Sequence, residues 1–202
     1  MKKDFYELYN NFVKRAEEKN KRFREMLVNS QLSFDSKEML SFVVSECLME
    51  DIETIYKLEN NGFSNRYIDF TIRNMSEQVI EYLYIMKNPR LIKEYFGERL
   101  NDDWDGKNLF DGMKITGAAR FKKRESVSAM AKAVDEKVSD DDKIALYEIF
   151  SLKAELEHHS YFHHMLDVMC NLGDRIESKD DLDYIFLIYI LSAFIKVYDT
   201  IQ

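Results

Sequence analysis

The sequence predicts an all-α fold, a helical bundle of about seven helices with one long irregular loop at about 101–124. Three observations carry that expectation. Apolar residues recur at three- and four-residue spacing along almost the whole chain. Strand-like alternation is sustained nowhere. The 202 residues include six glycines and one proline, too few for the many turns of a sheet-rich protein. A chain of this length buries about 70% of its unfolded surface and suits a single domain. Within it, 1–30 read as a charged N-terminal helix and 36–200 as the bundle core.

Each element has its own signal. The first helix, 4–28, is amphipathic and strongly charged. The second starts after an Asp35-Ser36 cap and runs to 59, where Asn60-Asn61-Gly62 should stop it with a left-handed C-cap. The third spans 64–87. Asn88-Pro89 ends it and opens a fourth, which fades near 100, with Asn88 as N-cap and Pro89 where a missing amide costs nothing. Gly106, Gly112 and Gly117 fall in the long loop, a length of connection that often serves as a lid. A fifth helix covers 125–137. Ser139 and three aspartates then cap a sixth that extends to about 170, and Asn171-Leu172-Gly173 terminates it. The seventh begins at a Ser178/Asp181 cap. Its run YIFLIYILSAFIKV is apolar nearly all round, so it is either the central rod of the bundle or half of a homodimer contact.

Charge and cysteine usage narrow the function classes. Lys and Arg total 29 against 37 for Asp and Glu, a formal charge of -8. An acidic field repels phosphate backbones, which argues against nucleic acid as the main partner. The N-terminus lacks the apolar run of a secretory signal. The most hydrophobic stretch is shorter than the ~20 residues a bilayer needs, so no membrane is expected. Cys47 and Cys170 read as two buried thiols, which fits a reducing cytoplasm.

All four histidines lie close together, as His158, His159, His163 and His164 in ELEHHSYFHHM. His159 and His163 are one helical turn apart and Glu155 lies one turn earlier, a ladder zinc could use. The helical wheel divides the cluster. With an apolar face taken through Ile144, Tyr147, Ala154, Phe162, Met165 and Met169, His158 falls at its centre with Glu155 and Ser151 beside it. His159 lies towards a flank, and His163, His164 and Glu157 point outward. Two readings of His158 stay open: a core histidine satisfied by a nearby acid, or an acid/base or ligand-orienting group tuned by Glu155. A two-metal bundle needs an E-x-x-H from each of two helices, and only Glu155/His158 has that form. No cofactor and no metal is therefore expected, zinc on His159 and His163 being the alternative.

Other constellations are quieter. Glu46, Glu50, Glu53 and Lys57 share a face opposite Val43, Cys47, Ile55 and Leu58, which reads as a solvated stripe. Asp69, Arg73 and Glu77 form an acid–base–acid ladder that stabilises a helix surface. Arg73 borders the apolar face of Ile72, Ser76, Ile80 and Leu83, from where it can reach inward. The one basic run is Arg120 to Arg124, by default solvated and otherwise a phosphate or acidic-partner patch. Phosphate-loop, dinucleotide, nucleophile-elbow and Cys-x-x-Cys motifs are all missing from the sequence.

Two segments resemble a bacterial family of helical proteins catalogued as a domain of unknown function, number fifty-six seventy-seven. One is Arg73-Asn-Met-Ser-Glu77 followed by VIEYLYIMKNP, similar to that family's R-x-x-x-E helix. The other is RESVSAMAKAV followed by LYEIFSLKAELEHHSYF, whose Glu155-x-x-His158 is similar to an S-E-x-x-H motif, with Ala154 in place of the serine. The resemblance spans about 40–170. It implies an all-helical fold and marks Arg73, Glu77, Glu155 and His158, but implies no activity.

The leading expectation is a polar ligand site between the third and sixth helices, Arg73 and Glu77 facing Glu155 and His158. In its binding form Arg73 anchors a small anionic group; in its enzyme form His158 is a general acid or base of hydrolysis. A defence-type helical ribonuclease also uses Arg and His between helices, though its Arg–His spacing on one helix is missing here. The alternative of another class is a structural or interaction protein that dimerises through its C-terminal helix.

Overall fold

The computed structural model describes residues 1–29, 31–33, 36–61, 65–92, 125–134, 146–158 and 179–201. They form an all-α bundle of six helices, with no strand among the described residues: α1 (Lys2–Val28), α2 (Lys37–Asn60), α3 (Asn65–Lys87), α4 (Val127–Val134), α5 (Leu146–His158) and α6 (Lys179–Tyr198). Residues 90–92 add a helical turn after Pro89. The expected long loop at 101–124, the Ser139 cap and the basic run lie outside the described residues, as do Cys170, His159, His163 and His164.

Local chemistry accounts for the helix ends. Ser36 caps α2 by accepting from the Met39 amide at 3.0 Å. At the other end Asn61 is the C-cap with φ -97°, and Gly62 of the expected left-handed stop lies outside the described residues. Asn61 closes α2 with its side chain, Nδ2 donating to the Lys57 carbonyl at 2.7 Å. Asn88 likewise faces backward, Nδ2 donating to the Tyr84 carbonyl at 3.0 Å. Its side chain therefore terminates α3, where the sequence suggested an N-cap for the helix that follows. Ser126 caps α4 through the Ala129 amide.

The arrangement places α3 and α6 at the centre. Helix α3 packs against α2, α4, α5 and α6, and α6 packs against α1, α3 and α5. One stripe of α1, Phe5, Phe12, Ala16, Asn20 and Phe23, is buried, as heptad-like spacing dictates. On α6, Tyr184, Leu187, Ile190, Leu191, Phe194 and Tyr198 are fully buried. Within one chain α6 is thus the core rod of the two roles open to it. Phe194 meets Phe12 edge-on at 5.8 Å and Tyr82 at 4.9 Å, so α1, α3 and α6 share one aromatic layer. No helix among the described residues is long and apolar enough to cross a membrane.

Candidate functional site

The candidate site forms along the seam between α3 and α5. The face that α5 buries runs Leu146, Ile149, Lys153, with Phe150 beside it, an i, i+3, i+7 pattern. Two contacts set the register. The Arg73 guanidinium lies over the Phe150 ring, 5.2 Å from its centre, and Lys153 pairs with Asp69. As α3 advances from 69 to 73, α5 retreats from 153 to 150, so the helices are antiparallel.

Lys153 is the feature that sequence reasoning missed. It is 1% exposed, and its ammonium donates to Asp69 Oδ1 on α3 and to Asp183 Oδ1 on α6. The same ammonium stands 5.5 Å from the centre of the Phe186 ring. Asp69 is itself 1% exposed, which corrects its assignment to a surface ladder. The signal was available. Asp69 falls on the same wheel face as Ile72, Ser76 and Leu83, and Lys153 on that of Leu146 and Ile149. A charge at the centre of an apolar stripe on each of two helices signals a buried pair.

The residues singled out in advance fare differently. Arg73 does reach inward, as its border position suggested: it lies over Phe150 and is 3.8 Å from Glu77, both side chains being 22% exposed. Phe150 stacks in turn on Tyr147, ring centres 6.0 Å apart. Glu155 is exposed. It lies nine residues from Leu146, about 180° round the helix, so it faces away from α3 and not beside the apolar face. The covered face of α5 is centred on Ile149 and Lys153 and not on Tyr147, which is 37% exposed. His158 is the last residue of α5, five residues beyond Lys153, or about 7.5 Å along the axis. In the antiparallel register that backbone position is level with the start of α3, two turns from Arg73. Its side chain lies outside the described residues. The structure therefore brings Arg73 and Glu77 together with Phe150, and not with Glu155.

Two further expectations are adjusted. The Glu46 stripe is not wholly solvated: Glu46 accepts from Asn20 Nδ2 at 2.7 Å and pairs with Arg24. Glu53 and Lys57, 3.6 Å apart, do sit in solvent. Cys47 is a free thiol, half-buried where full burial was expected. Burial pushes this thiol up, and Asp51, Glu50 and Glu46 add to the rise, so it stays protonated and is a poor nucleophile. Among the described residues no group of three His, Cys, Asp or Glu side chains is placed to hold a metal ion. No family model matches the chain, and no curated protein or solved structure is detectably similar to it.

Proposed function

We propose that the chain is a binding protein that takes a small anionic group at the α3–α5 seam, with Arg73 as the anchor. The observation that supports this reading is the setting of Arg73. Its guanidinium is stacked on Phe150 and steadied by Glu77, so the planar fork is oriented before any ligand arrives. A stacked guanidinium can still present N–H edges to a carboxylate or phosphate. Glu77, 3.8 Å away, is one carboxylate with which an incoming anion competes. Phe70 on α3 and Tyr147 on α5 are exposed nearby, ring-bearing residues of the kind that anchor ligands and partners. Glu155 has no part in this reading, and the hydrolase and ribonuclease readings through His158 draw no support from the seam. A bacterial, cytoplasmic setting accompanies the proposal, resting on the family resemblance and the free Cys47 thiol.

Thermal unfolding at fixed ionic strength, with inorganic phosphate, pyrophosphate or citrate added, tests it. At a hundred times its dissociation constant a bound anion adds about 2.7 kcal/mol, a shift of several degrees. That shift should appear in the wild type and in Glu155→Gln, shrink in Arg73→Lys and vanish in Arg73→Ala. No shift in the wild type, or an equal shift in Arg73→Ala, rejects the reading.

The second reading is a structural or interaction protein, and the buried triad of Lys153, Asp69 and Asp183 favours it. A charged cluster joining three helices serves register without any ligand. Sedimentation over a range of concentrations tests the homodimer that goes with it.

A further inference from the structure

On the opposite side of α3 from Arg73, another pair of polar groups connects it to α2. Gln78 Nε2 donates to Asp51 Oδ2 across a long 3.4 Å. The other end of the same amide, Gln78 Oε1, is buried and has no hydrogen-bond partner among the described residues. An amide acceptor withdrawn from water and left unpaired is costly, and native structures contain few of them. A charged Asp51 cannot relieve it, because a carboxylate only accepts. A neutral Asp51 can, because its carboxyl then carries a donor. We propose that the Asp51–Gln78 contact is a proton-linked latch between α2 and α3. It holds by one long hydrogen bond when the carboxyl is charged, and closes into a two-bond acid–amide pair when the carboxyl is neutral.

The surroundings favour proton uptake. Burial pushes the Asp51 carboxyl up to about 6, the Gln78 hydrogen bond opposes the rise and Glu50 adds to it. The charged neighbour on its own helix is Glu50, and Cys47, one turn back, stays neutral. From α3 the group that faces it is the neutral Gln78 amide. The folded chain thus holds this proton more tightly than the unfolded chain does. The stabilisation is complete below the ordinary carboxylate range and is lost as pH rises through about 6.

Carbon-detected NMR of the carboxyl groups in the wild-type chain is the direct test, with the side-chain amide protons of Gln78 followed in the same titration. Asp51, assigned by its loss in Asp51→Asn, should titrate near 6, and the Gln78 amide resonances should move with the same midpoint. In denaturant unfolding, the folding equilibrium of the wild type should gain about tenfold more than that of Asp51→Asn between pH 7 and pH 5. An Asp51 carboxyl that titrates in the ordinary carboxylate range overturns the proposal. So do Gln78 amide protons that ignore the titration of Asp51. Both signals can also be assigned through bonds to the backbone of the wild-type chain, so these two tests stand even where the variant folds poorly.

Discussion

At its N-terminal end α6 is held by buried charge, Asp183 on Lys153 beside Asp69; at its C-terminal end it is held by a neutral hydroxyl, Tyr198 donating to Asn20 Oδ1 at 2.9 Å. The two attachments bind the same rod by different physics. In the triad three charges have left water, and their mutual attraction little more than offsets that desolvation. Each charge therefore depends on the others. At the C-terminal end no member is indispensable. Asn20 also donates to Ser45 Oγ at 2.9 Å and to Glu46, and Lys19 donates to the Tyr198 carbonyl at 2.7 Å. Arg15 and Asp199 add an exposed ion pair outside this network. An attachment made wholly of buried charge is brittle, and a branched one centred on neutral groups degrades gradually.

Mutations that cut each attachment sharpen or break that contrast. The largest effect is expected for Lys153→Ala, which leaves two buried carboxylates facing each other. It should cost about 3–5 kcal/mol in urea unfolding. Replacing all three charges by apolar residues of similar volume should keep most of the stability, because no charge is then left behind. If the triple variant is as damaged as Lys153→Ala, the triad is more than a charge balance. Asn20→Ala should cost about 1–3 kcal/mol, since it leaves Ser45 and Tyr198 to find new partners. Tyr198→Phe removes one bond from a network with alternatives and should cost about 1 kcal/mol. Arg15→Ala breaks an exposed pair and should lie within about 0.5 kcal/mol of the wild type, with even that masked by salt. Equal losses for Lys153→Ala and Tyr198→Phe would end the distinction.

Much of the fold was readable because helices announce themselves locally. The Ser36 cap and the apolar rod of α6 are written in spacing and in a single hydroxyl group, and these appear where the sequence put them. The site was less readable because it depends on register between helices remote in the chain. A wheel shows which residues share a face, but not which face is covered. Tyr147 and Ala154 could pass for the centre of the covered face of α5 until α3 is seen lying against Ile149 and Lys153. Asp69 was misread for a related reason. Four-residue spacing to Arg73 looks like a surface ladder, and only the wheel face shared with Ile72, Ser76 and Leu83 points to a buried partner, 84 positions away. The inward reach of Arg73 was legible from its border position, while its contact with Phe150 depends on the register of α5 and was not.

The central place of α6 also has a consequence for the order of folding. Its closing contacts join positions very far apart in the chain: Tyr198 bonds Asn20 across 178 residues, and Arg15 pairs with Asp199 across 184. At a synthesis rate of about 5–20 residues per second, α1 waits roughly ten to forty seconds for the helix that covers its apolar stripe. Until then Phe5 and Phe12 lack the Tyr184, Phe194 and Tyr198 rings that pack on them. A stop codon before α6 would therefore yield an aggregation-prone chain and not a smaller domain. Because so much of the closure is non-local, refolding should be slower than in helical bundles of the same size whose contacts are mostly between neighbours.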